Sequence, residues 1–550
     1  MPGSPQRTSR QQPDWVAALL LTAVLIWLHF FFAIQAGGLW RDEVNLINLS
    51  SRAAFADMAR DSFPVLMPLS VRGWSALGLG RSDAGLRSLG AVIGLGLVAT
   101  LWVSAWATRR APPLLSLTIL GFNSTIIVYG DSLRGYGLGS LLIVLTVGAA
   151  GALLREATAA RAGWLALSAI LSVQALYQNA VFVGAICLGI WVVCGRRRKW
   201  RTASLVLGAG AAAALSLLPY VPILVAGQSS MEVLRTSLRF KYLLENIVMA
   251  AGFPLSQYAW IWLLLAVIVM VGAVFRPRSG APGFPENGEM ADDMRLFAAT
   301  TLLAGGAGFW GFLRLAGLTT QPWYFVPLLS LVAACFDAGL PSMPRLGRMA
   351  YYGLVGGTAL IAVPISQRDL GLCRFTNVDK VANQLATEAA PEDLVVVTPW
   401  YCGISFDRYF KSPTPWTTLP PLADHSTHRY DLVRNQMQDT NAIQPVLDRM
   451  AGTLRSGRRV WVVSEAGLMD IPEPGTPSPY HLPPPPLPNW GWSGVPYALQ
   501  WASQTAHFLG NHSRQFERVN NPAPGKQRLT EEMDLFLASG WREFYPTNAP

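Results

Sequence analysis

Trp40-Arg41-Asp42-Glu43 sets two adjacent carboxylates directly behind the first long apolar run of a 550-residue chain. A carboxylate at a membrane boundary either sits in water, capping the helix that follows, or takes a proton from a bound group. A second constellation lies at 123–138, NSTIIVYGDSLRGYGL, with Asp131, Arg134 and Tyr136. Asp131 and Arg134, three apart, would be neighbours on a helix and form a local salt bridge. With Arg87 they also have the composition of a carboxylate base facing a cation-lined pocket for an anion. Arg314 lies near the end of a later apolar run, and Gln321-Pro322-Trp323-Tyr324 opens the next. An arginine that deep faces a cavity or a partner, or snorkels to the interface. Trp323 and Tyr324 suit an interfacial aromatic belt, or a stacking surface for a sugar.

These residues must be positioned by membrane helices. Half the chain is hydrophobic (51%), 14% is charged and the mean hydropathy is +0.31, far from a soluble domain with about 25% charge. Apolar runs recur at 15–36, 84–106, 112–129, 136–154, 162–177, 179–194, 202–226, 252–275, 296–318, 323–340 and 349–366. They predict about eleven transmembrane helices, of which the fifth and sixth are short against the roughly 20 residues a span needs. Basic groups at Arg7/Arg10, Arg109/Arg110, Arg155/Arg161, 196–201, Arg276/Arg278 and Arg345/Arg348 then all fall on one side. That places the N-terminus in the cytoplasm and the C-terminus outside it. The first run has no small-residue cleavage site behind it and reads as a retained signal-anchor of the inner (plasma) membrane. The outer loop 37–83 carries Asp42, Glu43 and several arginines, with short amphipathic helices expected on the membrane surface.

Charge divides the chain in two. Residues 1–366 hold 27 Lys/Arg against 15 Asp/Glu, and 367–550 hold 16 against 18. The basic excess belongs to the membrane part, where it is a topology signal rather than a nucleic-acid surface. The expected organisation is therefore a transmembrane domain at 1–366 and a small extracytoplasmic α/β domain at 367–550. In the latter, a helix at 378–389 and buried strands at 393–398 and 458–464 alternate, and 472–488 is a proline-rich loop. Cys373 and Cys402 pair only if this region lies outside the cytoplasm. His425 and His428 lack a third ligand, and no metal site is assigned to them. Asn48-Leu49-Ser50 and Asn511-His512-Ser513 match the weak glycosylation pattern.

The order of motifs resembles a family. It comprises W-R-D-E in a long outer loop, Pro64-Val65-Leu66-Met67-Pro68, L-R-S-L-G at 86–90, F-N-S…Y-G-D-S-L-R-G-Y-G-L, and P-W-Y-F-V-P at 322–327. Over about residues 15–340 this is similar to the glycosyltransferase C (GT-C) superfamily, on the branch of protein O-mannosyltransferases and lipid A aminoarabinose transferases. The resemblance implies an inverting membrane glycosyltransferase whose donor is a sugar linked to a polyprenyl phosphate. Its acceptor would be a glycan, lipid or protein. It implies Asp42 as the base, Glu43 as its helper and Asp131 as a second outer carboxylate. Arg87, Arg134 and Arg314 would hold the phosphate, beside Tyr136, Trp323 and Tyr324. Asp42, Glu43 and Asp131 are also of the type that holds a divalent cation, which this branch does not demand. The chain departs from the family pattern at Ser132, where many relatives are acidic. It also has Ser62-Phe63 before Pro64 in place of His and Lys, and Trp323 in place of Arg.

Two other classes fit the composition. A transporter or flippase of a lipid-linked or anionic solute would place charge at the bilayer midplane and often carries internal repeats; here the acids cluster in loops and no repeat is visible. A non-catalytic scaffold would tolerate loss of Asp42.

Overall fold

The computed structural model describes residues 12–60, 63–109, 111–235, 239–252, 256–274, 288–317, 320–340, 345–473, 475–519 and 528–543. Arg7, Arg10, Ser62, Arg110, Arg276 and Arg278 lie outside them, as do the side chains of Arg345 and Arg348. The chain divides into two compact units. The first comprises Met1–Gln35, Met58–Ile223 and Ser237–Gly371; the second comprises Ala36–Asp57, Leu224–Thr236 and Leu372–Pro550. The outer loop expected at 37–83 is thus shared between them.

The first unit is a bundle of apolar helices. Across the described residues eight helices are long and apolar enough to cross a membrane: Pro13–Gln35, Asp83–Arg109, Gly135–Arg155, Asn179–Arg196, Trp200–Leu234, Glu289–Ala316, Pro322–Gly339 and Met349–Leu372. The chain is a polytopic α-helical membrane protein. Three of the eleven expected runs differ. The runs at 162–177 and 252–275 form 17-residue helices, Ala159–Ala175 and Tyr258–Val274. The run at 112–129 is broken into Leu114–Ile119 and Ser124–Gly130. Asn123 causes the second start: its side chain accepts from Ile126 N–H and donates to the carbonyls of Ala250 (2.8 Å) and Ala251 (3.1 Å). A buried cap of this kind satisfies groups that lipid cannot.

Helix contact in this unit depends on small residues, as expected where the solvent is as apolar as the side chains. A Cβ on Gly148 would meet the Ser104 backbone at 3.0 Å, and one on Gly151 would meet Thr108 Cγ2 at 2.5 Å. The Asp83–Arg109 and Gly135–Arg155 helices pack through these positions. At other helix ends, Arg197 is held by Asp293 and Glu289, and Arg109 donates to the Asp337 carbonyl at 2.7 Å.

The second unit is an α/β fold. Its five-stranded sheet has the order β3 (Trp416–Thr418), β2 (Leu394–Thr398), β4 (Val460–Glu465), β7 (Met533–Trp541) and β5 (Ser513–Val519). The first three strands are parallel and β7 runs antiparallel to both neighbours. A separate parallel pair joins β1 (Cys373–Thr376) to β6 (Arg528–Glu531). The apolar run of β2 is buried on both faces, which is why it does not alternate. Val396, Val460 and Val462 face one core, with helices Gln444–Arg455 and Val495–His512. Val395, Val397, Trp461 and Val463 face the other, with helices Val378–Glu388 and Gly403–Tyr409. The expected helix and both expected strands are present. Cys373 and Cys402 are buried and are not bonded to each other. Asn511 is also buried, bonded to Gly475 N–H and the Thr476 carbonyl.

Candidate functional site

In the second unit, each residue of the Trp40–Glu43 tetrapeptide has its own anchor. Gly37, at φ +70°, lays the chain against Arg374, where a Cβ would stand 2.4 Å from the guanidinium. Phe375 N–H donates to the Ala36 carbonyl at 3.0 Å and Leu39 N–H to the Tyr409 hydroxyl at 2.6 Å. Trp40 then stacks on Phe375 with centroids 6.1 Å apart. From here the Arg41–Ser50 helix starts, with Trp40 extended as its N-cap. Glu43 is fully buried and accepts from Trp40 N–H at 3.4 Å. Its carboxylate sits where the helix dipole favours a negative charge, so it secures the helix start.

Arg41 enters a pocket of acids. Its Nη1 lies 3.4 Å from Glu465 Oε1 and 3.5 Å from Glu531 Oε1, and the guanidinium covers the Tyr401 ring at 4.5 Å. Tyr401 donates to Glu465 Oε2 at 2.6 Å, and Ser405 donates to Glu531 Oε1 at 3.0 Å. Burial and the Glu465 charge push the Tyr401 phenol well up, so it stays a donor. Burial pushes the Glu531 carboxyl up to about 7, against the pull of Arg41 and of bonds from Thr376 and Ser405.

Asp42 projects from the next position and remains half-buried. Its Oδ1 is 3.2 Å from His428 Nε2. His428 N–H donates to Asn45 Oδ1 at 3.0 Å, and its ring stacks on Tyr430 at 5.5 Å and meets Trp400 edge-on at 6.1 Å. Farther along the same helix face, Asn48 donates to the Ser426 carbonyl, and Arg52, just past the helix end, donates to the Ser426 hydroxyl, both at 2.7 Å. Helix positions 42, 45 and 48, with Arg52 behind them, thus face the loop at 424–429. That loop is itself tied by Arg429 to Asp424 (2.8 Å) and Asp431 (2.6 Å). His428 Nδ1 is buried with no hydrogen-bond partner among the described residues. A bare lone pair there is cheaper than a buried N–H, so the arrangement favours the tautomer in which Nε2–H donates to Asp42.

The first unit holds the other expected residues. Asp131 ends the Ser124–Gly130 helix and receives His29 Nδ1 at 2.9 and 2.8 Å from its two oxygens. Asp131, His29, Arg87 and Arg134 are all buried, and Arg87 is close enough to act on Asp131 electrostatically. The segment at 131–134 is a bend rather than a helix, which changes the expected Asp131–Arg134 geometry. Asp131 turns to His29, and Arg134 lies over the Phe63 ring at 4.3 Å. Tyr136 meets Phe63 edge-on at 5.3 Å and Tyr324 at 6.0 Å, while Trp323 lies 4.8 Å from Tyr129. The Tyr324 carbonyl accepts from Gln178 at 3.1 Å. Arg314 stands exposed in the last turn of the Gly288–Ala316 helix and is not part of this buried group. Close approach is again a matter of glycine: a Cβ on Gly90 would fall 1.8 Å from the Asp131 carbonyl, and one on Gly94 1.9 Å from Asp131 Oδ1 and 2.6 Å from His29 Nδ1.

His29, Phe63 and His428 were missed as site residues in the sequence. His29 carried a signal, being titratable inside an apolar span. His428 was visible only as one of two nearby histidines, 386 positions from Asp42. Among the described residues no three of His, Cys, Asp and Glu gather as a metal-ligand set.

No known protein family's sequence profile matches the chain, and no curated protein does. Solved structures do. One is ArnT from Cupriavidus metallidurans bound to undecaprenyl phosphate, at TM-score 0.49 and 16% identity, covering 82% of this chain and 93% of that one. The apo state of the same protein aligns at TM-score 0.38 and 14% identity, over 83% and 93%. The Archaeoglobus fulgidus oligosaccharyltransferase tethered to an acceptor peptide aligns at 0.43 and 11%, over 94% and 74%. All three score below 0.5, so the chemistry of this chain is read from its own residues.

Two outcomes follow from these contacts. Gly94→Ala should force Asp131 and His29 apart and destabilise the first unit by about 1–3 kcal/mol, the cost of overpacking a close contact, read as thermal unfolding in detergent. The Glu531 carboxyl sits above its ordinary 4.5, so the folded state keeps a proton that the unfolded state releases. The stability from this group is complete below about pH 4.5 and is lost as pH rises through about 7, on the order of 3 kcal/mol. Glu531→Gln should flatten that part of the stability–pH curve.

Proposed function

We propose that the chain is an integral-membrane, inverting glycosyltransferase that moves a hexosyl or pentosyl unit from a polyprenyl-phosphate donor to an extracytoplasmic acceptor hydroxyl. The observation that carries this reading is the burial of two arginines, Arg87 near Asp131 and Arg134 over Phe63, in the membrane-spanning unit. Buried cations are costly and mark a place where an anion is handled. A lipid phosphate is an anion delivered by the bilayer itself. The ordered motifs at 40–43, 64–68, 86–90, 123–138 and 322–327 support the same reading.

In this scheme the acceptor oxygen attacks the anomeric carbon from the face opposite the phosphate. The bond from carbon to the phosphate oxygen breaks, and its electron pair leaves with the polyprenyl phosphate. Asp42 takes the acceptor's proton, Glu43 secures the helix start behind it, and His428 orients the carboxylate. Arg87 and Arg134 stabilise the charge developing on the leaving phosphate, where a water-poor setting strengthens their effect. Asp131, held by His29, keeps the local charge balanced. Tyr136, Trp323 and Tyr324 supply ring surface near these groups, and Arg314 is a further cation at a helix end. The acceptor is a glycan, lipid or protein on the outer side of the inner membrane, with the N-terminus cytoplasmic and 367–550 outside.

The test uses purified protein in nanodiscs, a panel of radiolabelled polyprenyl-phosphate sugars and cell-envelope acceptors. Asp42→Asn should lower transfer by about 10²–10⁴-fold, the worth of a general base. Arg134→Ala should cost about 10²–10³-fold. Equal transfer by wild type and Asp42→Asn would remove Asp42 from the base role. In the same assay His428→Ala should lower kcat by about 10- to 100-fold, as expected for a misplaced group. His428→Gln, which keeps a side-chain N–H, should recover most of that loss with KM little changed.

A further inference from the structure

The second unit contains a surface that neither the sheet nor the tetrapeptide uses. From Pro474 to Ser513 the chain has no Asp, Glu, Lys or Arg over 40 residues, although both flanking positions, Glu473 and Arg514, are charged. A water-facing surface of that length would ordinarily carry about ten charges. The stretch is not withdrawn from the surface. Tyr480 is 75% exposed, and Trp490, Val495 and Leu499 are each 50% exposed. Val495 and Leu499 are four apart on the Val495–His512 helix and share one face. Tyr480 is tied to that helix by its carbonyl, which accepts from Gln500. The turn carrying Trp490 is closed by Leu487 and Gly491.

This surface is joined by direct contact to the short turn Glu232–Leu234 of the same unit. Gly494 N–H donates to the Val233 carbonyl at 3.0 Å, and a Cβ on Gly494 would stand 2.7 Å from Val233 Cγ1. Arg434 covers the Trp492 ring at 3.9 Å and pairs with Glu232 at 3.4 Å. Val233 and Glu232 close the apolar stretch Trp200–Leu234, which is long and apolar enough to cross a bilayer. The uncharged turn is thus fastened directly after the apolar helix Val221–Met231, which buries none of its residues and leaves Leu224 47% and Val225 65% exposed. Tryptophan and tyrosine favour the zone where headgroups meet acyl chains, and a helix with one apolar face lies in its plane.

We propose that the 475–513 segment is a lipid-interface surface, with Trp490, Val495 and Leu499 seated in the outer leaflet of the membrane. A second copy or another protein would be expected to leave some charge for recognition at the rim of its site, whereas a bilayer boundary selects against charge throughout. The inference is independent of the transferase reading and survives its failure.

The test places a nitroxide at Trp490→Cys and, separately, Leu499→Cys in the full chain in nanodiscs, with Ala386→Cys on the exposed side of the Val378–Glu388 helix as control. All five native cysteines are buried, and each labelled site is at the surface, so wild-type thermal unfolding is expected. Collisions with lipid-soluble oxygen should exceed those with a water-soluble nickel chelate at 490 and 499, with the reverse order at 386. Nickel access at 490 and 499 equal to that at 386 would overturn the proposal. Protection from both reagents would overturn it too, in favour of a protein partner on this face.

Discussion

The guanidinium of Arg41 is the constraint on which the second unit's chemistry depends. It is packed against Tyr401 and faces Glu465 and Glu531. Taking a cation out of water costs several kcal/mol, which is recovered only if its partners are well placed. Two acids and a tyrosine therefore have to be delivered by different parts of the fold: by the 3₁₀ turn Trp400–Cys402, by the end of β4 and by the end of β6. Once Arg41 is held, helix geometry sets the next residue about 100° round, and Asp42 is presented to His428. Glu43, one residue farther, closes the helix start. Four consecutive side chains thus do four different jobs, and the carboxylate left half-buried is the one suited to proton transfer.

The first unit solves a different problem. It buries two arginines, a histidine and an aspartate among helices whose remaining surface is apolar. Glycines make this feasible by bringing backbone close: Gly90 and Gly94, one helical turn apart, admit the bend at 131–134 to the face of the Asp83–Arg109 helix that also carries Arg87. The acid is then matched by His29 from the first span. On the other side Arg134 lies over the Phe63 ring, which Tyr136 meets edge-on, with Tyr324 next to Tyr136. Charge here is tolerated because each ion has a neighbour of opposite sign or a ring face.

Much of this was legible in the chain. Long apolar runs announce membrane helices because lipid demands a continuous hydrophobic stretch, and the uncharged strand cores of β2 and β4 announce a sheet covered on both sides. The break after Ile119 was harder, since composition there stays apolar and the cause is the Asn123 amide reaching carbonyls 127 and 128 residues away. Strands β1, β3, β5, β6 and β7 are short, polar on one face or interrupted, and carry little local signal. Asp42 and Asp131 stood out by type and position. Their partners did not, because sequence proximity says nothing about an imidazole 386 or 102 residues distant.

The distance between Arg41 and its acids has a consequence for biosynthesis. The tetrapeptide emerges among the first 50 residues, yet Glu465 and Glu531 follow more than 400 positions later. Until β4 and β6 have been made and folded, Arg41 lacks the pair of acids it is buried against. A chain interrupted before residue 531 can insert every span and still leave its forward carboxylate unplaced. Completion of β6 is therefore a checkpoint on the second unit: only then does Arg41 have both of the acids that anchor it.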